Sequence, residues 1–453
     1  MNIFQKHSCK LDEMNSSIHD GSCKSYRSSL TKQSLDNYKR DLENEMSILS
    51  VDNVTAPTWD SQTLGLSISS GDEEATTQLS HLVQAIEKCA KKLQEDPIPS
   101  EKTCIALMQS LWNITRAFKS SIRCGPAQTA SFVSSLAVDM GALIALTNVM
   151  RAYKESSRVQ SRGVLLLGAL SEDNVKYQDA VADNHGVSYI LAALVNHSQS
   201  SSLCIDACKS LTSVTSLSIR NLSMMVHGDG VKTVRSVMQI HAKEEELQKC
   251  ALLLLSNVAK IDFLRKSHDA LTTGNPYQLL EHVEDPELIE TMVECINKNK
   301  RSRAVLKQGG SLIHILATQG KPRTRCSLVW SKVVPIIVKI SKSFVSNAIT
   351  QTECIETLIC LCNERPEARD VVAEDGCAFL FDAMVMHPKD SMVQTSACRL
   401  LHLICCFNHT CAPVAKCFKK HAKYRKTLEE AEKRYSESCK DMVGEIINYI
   451  SSI

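Results

Sequence analysis

The sequence predicts an all-α fold, an α-solenoid of repeated helical units, and three observations carry that prediction. Gly141, Gly186 and Gly230 precede Leu167, Leu211 and Leu255 by 26, 25 and 25 residues, and Gly376 precedes Leu401 by 25. The first three glycines lie 45 and 44 residues apart, and Gly274 follows after another 44. Repeats of about 40–47 residues belong to helical solenoids. Apolar residues recur at three- and four-residue steps after each glycine, as in DMGALIALTNVM and EDGCAFLFDAMV, which is the spacing of a buried helix face. No stretch of useful length alternates at the period of a β-strand.

Residues 1–75 hold 14 serines and little periodicity, a composition that fits a disordered arm. Within it Leu35, Tyr38, Leu42, Met46 and Leu49 keep helical spacing, so a short helix is expected over 33–49. It would either pack on the first repeat or fold onto a partner. The segment GDEEATTQLSHLVQAIEKCAKKL begins the array, which is expected to run from 76 to 415.

Each unit pairs two apolar helices. The first follows the glycine, where the chain turns sharply between helices. The second is more thoroughly apolar, as in SRGVLLLGAL and QKCALLLLSNV, and a helix apolar nearly all round sits centrally in a packed array. One unit cannot bury such a face alone, whereas stacked units can. Asp285-Pro286-Glu287 reads as a helix start, with Asp as cap, Pro at the first position and Glu at the positive dipole end. Between 299 and 350 the runs after Gly310 and at VVPIIVKI cannot both be second helices of full-length units, so an irregular or shortened repeat is expected there. From 416 to 453 a charged, amphipathic helix, or two helices broken near Gly444, forms a C-terminal extension. Its stripe of Met442, Ile446, Ile447 and Ile450 is expected to dock as a cap, or else to mediate oligomerisation.

The pattern resembles the armadillo repeat family, in which a glycine marks the start of the second helix and an L-x-N-[LIV] step lies in the third. The matching glycines are Gly141, Gly186, Gly230, Gly274, Gly310 and Gly376; the asparagine step appears as LWNI from Leu111 and LSNV from Leu255. HEAT repeats are the competing assignment. The resemblance implies a right-handed solenoid of about seven to eight repeats. It also implies a non-catalytic scaffold or adaptor that binds extended peptides along the groove of third helices. In such grooves the equivalents of Asn113 and Asn257 hydrogen-bond the ligand backbone; helix capping is their alternative role. Gln109 and Leu253 stand one turn earlier, where nuclear-import receptors of the family carry tryptophan, so that function is not expected.

Charge adds a second clue. The net charge is +2, yet no acidic residue occurs from Ile296 to Thr352, a stretch with eleven bases. A field this one-sided favours an acidic ligand. The candidate partner-binding residues are therefore Asn113, Arg116, Asn257, Lys260, Arg301, Arg303, Lys307, Arg323 and Arg325. The expected partners are proteins, with acidic linear peptides first. A solvated basic edge is the alternative; nucleic acid is disfavoured because Trp330 is the only aromatic residue between Tyr277 and Phe344. A clamp on a folded partner, as in a chaperone or transport regulator, is the competing function. An arm segment with Ser69 and Ser70 ahead of Asp72, Glu73 and Glu74 could fold back on the basic stretch if phosphorylated.

The 20 cysteines lack a framework spacing and many sit in apolar helices, among them Cys208, Cys250, Cys354 and Cys398. Free cysteine there acts as a small hydrophobe. With no apolar signal core in MNIFQKHSCK, a reducing compartment is expected, cytoplasmic or nuclear. Cys405, Cys406, His409, Cys411, Cys417 and His421 match no closed zinc pattern. No nucleotide-binding, nucleophile-elbow or zinc-protease motif occurs, so neither a cofactor nor catalysis is expected.

Overall fold

The computed structural model describes residues 91–95, 97–121, 138, 141–172, 174–260, 277–374, 377–406 and 412–452. The serine-rich arm, its short helix, Gly274 and Gly376 lie outside these. The chain divides into two compact units, 1–189 and 190–453. In the first lie α1 (Glu101–Ser121), α2 (Ala142–Ala152), α3 (Ser157–Ser171) and α4 (Val175–Asp183). Helix α5 (Gly186–Asn196) spans the division. The second holds α6 (Ser201–Thr215), α7 (Ile219–His227), α8 (Gly230–Ile240), α9 (Glu245–Ala259), α10 (Tyr277–Val283), α11 (Pro286–Lys298) and α12 (Arg303–Gln319). It continues with α13 (Pro322–Trp330), α14 (Val334–Ser343), α15 (Ala348–Glu364), α16 (Pro366–Glu374), α17 (Ala378–Met386) and α18 (Ser391–Cys406). It ends with α19 (Ala412–Lys420), α20 (Ala422–Arg434) and α21 (Ser436–Ser452).

The fold is all-α, a helical-repeat solenoid, and no strand occurs among the described residues. A short first helix, a second helix and a longer third helix recur in order. In the second unit the third helices α6, α9, α12, α15, α18 and α21 pack each on the next. In the first unit α1 packs on α3 in the same way. The core is this spine: Leu111, Leu167, Leu211, Leu255, Leu358 and Leu401 are fully buried.

The glycines divide between the left-handed turn and the tight approach expected of them. Gly141 does take the left-handed conformation, at φ 79°. In the next two repeats that conformation falls on the preceding residue, His185 or Asp229, each at φ 57°. Gly186 and Gly230 are needed for close approach instead. A Cβ on Gly186 would lie 2.4 Å from Val181 Cγ1, and one on Gly230 would lie 2.6 Å from the Met225 carbonyl oxygen. The one-residue offset explains why the glycine-to-leucine interval changes from 26 to 25.

Residues 299–350 are regular rather than shortened. VVPIIVKI forms second helix α14, but Gly310 lies inside third helix α12. The expectation failed because the apolar run after Gly310, LIHI, has the same period in a third helix as in a second. The proline start holds: Asp285 caps α11, its Oδ1 accepting from the Glu287 amide at 3.3 Å, with Pro286 at the first helical position. Past residue 411 the chain forms a further triplet, α19 to α21. Gly444 sits within α21, and the break falls at Tyr435. Ile446 and Ile450 are buried, on a helix that packs against α18.

The corner between second and third helices is the single residue Tyr435 in the last case, between α20 and α21, but in six cases, 153–156, 197–200, 241–244, 299–302, 344–347 and 387–390, it has four residues. The residue at its end caps the third helix. Ser156, Ser302, Asn347 and Asp390 each accept from the amide three residues on, at 2.9–3.2 Å. Four residues further lies a buried glutamine in four of the helices. Gln160 donates to the carbonyls of Met150 and Tyr153, and Gln248 to those of Met238 and His241. Gln351 does so to Ser341 and Phe344, and Gln394 to Met384 and His387; all eight bonds measure 2.7–3.0 Å. Each amide thus bridges two carbonyls at the end of the second helix, of which those of Tyr153, His241, Phe344 and His387 also accept a backbone amide within the corner. The residue opening the corner reaches back to the preceding repeat. Tyr153 Oη donates to Pro99 O at 2.8 Å and Asn299 Nδ2 to Ala242 O at 2.8 Å. His241 Nε2 bonds Ser198 O at 2.8 Å, and His387 Nε2 bonds Val345 O at 2.7 Å.

Candidate functional site

A concavity of about 280 Å³ opens between the third helices α12 and α15. Its floor comes from Gly310 on α12, Ile337 and Ile340 on α14, and Cys354 on α15. Its rim carries Lys260 at the end of α9, Lys307 on α12, and Ile349 and Glu353 on α15. Ile349 is 73% exposed although its helix is mostly buried. Lys260 and Lys307 are exposed and form no ion pair among the described residues.

The opening has a local cause. Counting from the cap residue, the eighth position of a third helix normally holds a buried apolar side chain: Met108, Val164, Leu252 or Ile355. The seventh position is small, as at Gly163, Ala251, Gly309 and Ala397. The two interlock between neighbouring helices. A Cβ on Gly163 would lie 3.2 Å from Met108 Cε, and one on Gly309 would lie 3.8 Å from Leu252 Cδ1. At Gly310 the eighth position is itself glycine, so α12 offers α15 no side chain there.

The residues singled out from sequence divide into groups. Lys260 and Lys307 meet at the concavity. Asn257 lies one turn before Lys260 on α9, half-buried. Arg301 and Arg303 stand exposed at the start of α12, where the Arg303 guanidinium lies over the Phe344 ring at 4.5 Å. Arg323 and Arg325 lie on α13, beyond the far end of α12. A 17-residue helix is about 25 Å long, so the two arginine pairs do not converge. Arg325 is tied into the fold: its Nε pairs with Glu364 at 2.9 Å and its Nη1 donates to Gly320 O at 2.7 Å. Lys298 and Lys321 are likewise paired, with Glu294 and Glu281. Asn113 and Arg116 belong to α1, but their side chains lie outside the described residues.

Chemistry at cysteine finds little support in these surroundings. Burial pushes the Cys204 and Cys250 thiols up to about 11 and Cys295 up to about 12, so they stay protonated at neutral pH. Among the described residues no three His, Cys, Asp or Glu side chains converge as metal ligands, and no helix is long and apolar enough to cross a membrane. His409 and Cys411 lie outside the described residues.

The geometry defines the class, an α-helical repeat protein whose third helices form its spine. No family model and no curated protein matches the sequence. Among solved structures it is similar to two engineered proteins. One is 19% identical over 62% of this chain and 97% of its own, with a TM-score of 0.48. The other is 16% identical over 61% and 98%, with a TM-score of 0.47. A third chain comes from a structure described as a conserved phosphorylation switch controlling the interaction between cadherin and β-catenin. It is 12% identical over 97% of this chain and 100% of its own, at a TM-score of 0.37.

Proposed function

We propose that the chain is a non-catalytic, armadillo-type scaffold or adaptor that holds segments of partner proteins on the face of its third helices. Acidic segments are favoured. The observation that carries this reading is the meeting of unpaired Lys260 and Lys307 at the rim of a concavity with Ile337 and Ile340 in its floor and exposed Ile349 at its edge. Unpaired cations beside exposed apolar surface suit a ligand with carboxylates and aliphatic side chains. The cytoplasm or nucleus is the proposed compartment, consistent with so many unpaired, buried thiols.

The test is a pull-down with the full chain, followed by fragment mapping of captured partners. Short acidic fragments should bind by themselves, and binding should weaken as salt rises, because exposed charges are screened beyond about 8 Å at physiological ionic strength. Lys260→Glu with Lys307→Glu should weaken capture further. Capture of intact folded domains alone, insensitive to salt and to both reversals, would instead favour a clamp around a folded partner.

A further inference from the structure

We infer that the concavity at Gly310 is an anchor site for one aliphatic side chain of the bound segment, with an acidic residue beside it engaging Lys307 or Lys260. The inference rests on the scaffold reading above and deepens it by naming what the segment must contain. Its argument is a departure inside the chain's own repeat. Met108 meets Gly163, and Leu252 meets Gly309, a large side chain filling the space beside a small one. At the next seam the eighth position is Gly310, and it and Cys354 both line the open space, with Ile340 beside Gly310.

The floor is apolar at Ile337 and Ile340, while Gln308, Ser311, Thr350 and Thr357 add polar groups to the lining. Ile337 is 1% exposed and Ile340 is 1% exposed, so both are anchored in the core and present a fixed surface. A space of about 280 Å³ admits a leucine-sized side chain with room for its backbone at the mouth. Ile349, standing exposed at the rim, would be covered by the same ligand. Two lysines and one carboxylate, Glu353, surround the mouth, which leaves a net positive rim and selects acid over base beside the anchor. A hydrophobic anchor in a pocket ringed by polar groups is the usual form of an interface hot spot.

The experiment selects a random dodecapeptide display library against the full chain. Enriched peptides should share one Leu, Ile, Met or Val next to Asp or Glu. Changing that aliphatic residue to Ala in a synthetic peptide should weaken binding to the unaltered protein at least tenfold, the order expected for losing a buried aliphatic side chain. Gly310→Leu should abolish binding while circular dichroism and Tm stay at the parent's values. The peptide-side change keeps the test valid should that variant fold poorly. If peptides bind and Lys260→Glu with Lys307→Glu weakens them, but neither the peptide's Ala nor Gly310→Leu does, the anchor is refuted and the scaffold reading stands. If no peptide is enriched, or binding ignores every substitution, both readings fall.

Discussion

Helix α12 meets α9 on one side and α15 on the other, and the two seams are built differently. At the first, fully buried Leu252 reaches Gly309 and the surfaces close. At the second, Gly310 offers nothing to Cys354 and a concavity remains. Two adjacent glycines thus do opposite things. A Cβ on Gly309 would lie 2.5 Å from Ile296 Cδ1, whereas one on Gly310 would lie 3.1 Å from Ile340 Cδ1, beside the concavity. Absence of a side chain is a packing requirement at one seam and leaves surface for a ligand at the other.

The largest expected effect comes from opening the closed seam. Leu252→Ala should cost about 2–5 kcal/mol in urea unfolding, the transfer loss plus a cavity beside Gly309. A cost below about 1 kcal/mol would mean that the seam collapses freely, leaving the persistence of the Gly310 concavity unexplained. Next comes the helix entrance that α9 has and α12 lacks, since Gln248 is replaced by Leu306 at the matching position. Gln248→Ala should cost about 1–3 kcal/mol, because two hydrogen bonds are lost, although His241 O keeps the Glu244 amide and Met238 O the Cys295 thiol. Unchanged stability would show that water serves those carbonyls as well.

A smaller effect isolates the two glycines directly. Gly309→Ala and Gly310→Ala share the same gain in helix propensity, so their difference reports packing alone. A methyl at 309 meets Ile296 Cδ1 at 2.5 Å and Cγ1 at 2.9 Å, while one at 310 meets nothing nearer than Ile340 Cδ1 at 3.1 Å. Gly309→Ala should therefore be the less stable by about 1 kcal/mol in chemical denaturation; equal midpoints would erase the distinction between the seams. The smallest effect is at the rim. Lys307→Ala should shift stability by less than about 0.5 kcal/mol, being an exposed residue without an ion pair, and a larger drop in Tm would assign it a structural role.

The helical class and the period of about 44 residues were readable because leucines recur at a fixed place on six of the third helices, with Ile313 in that place on α12. Gly310 misled because glycine can mark a turn or a missing side chain, and a linear pattern does not separate the two. The glutamine clamps escaped notice, though their signal is plain: Gln160, Gln248, Gln351 and Gln394 each stand seven residues before Leu167, Leu255, Leu358 and Leu401. Of the basic candidates, Lys260 and Lys307 come together because α9 and α12 are neighbours in the spine. Arg323 and Arg325 do not join them, because charge counted along the chain ignores the length of the helix between. The ion pairs of Lys298, Lys321 and Arg325 were hidden for a similar reason: Glu281 and Glu364 lie outside the acid-free stretch, and so does Glu294.

The four-residue corner acts as a ruler for how such a chain can change in length. Three corners, 153–156, 344–347 and 387–390, are measured at both ends, by a capping bond on one side and by a glutamine reaching back seven and ten residues on the other. One inserted residue would move the cap and the clamp out of step. The described junctions from third helix to next first helix carry no such gauge, and they vary from the single residue Arg365 to the three residues 216–218. Insertions, whether made by duplication or by design, should accumulate at those junctions. A tag, a loop or a whole further repeat grafted there would leave every corner at its measured length.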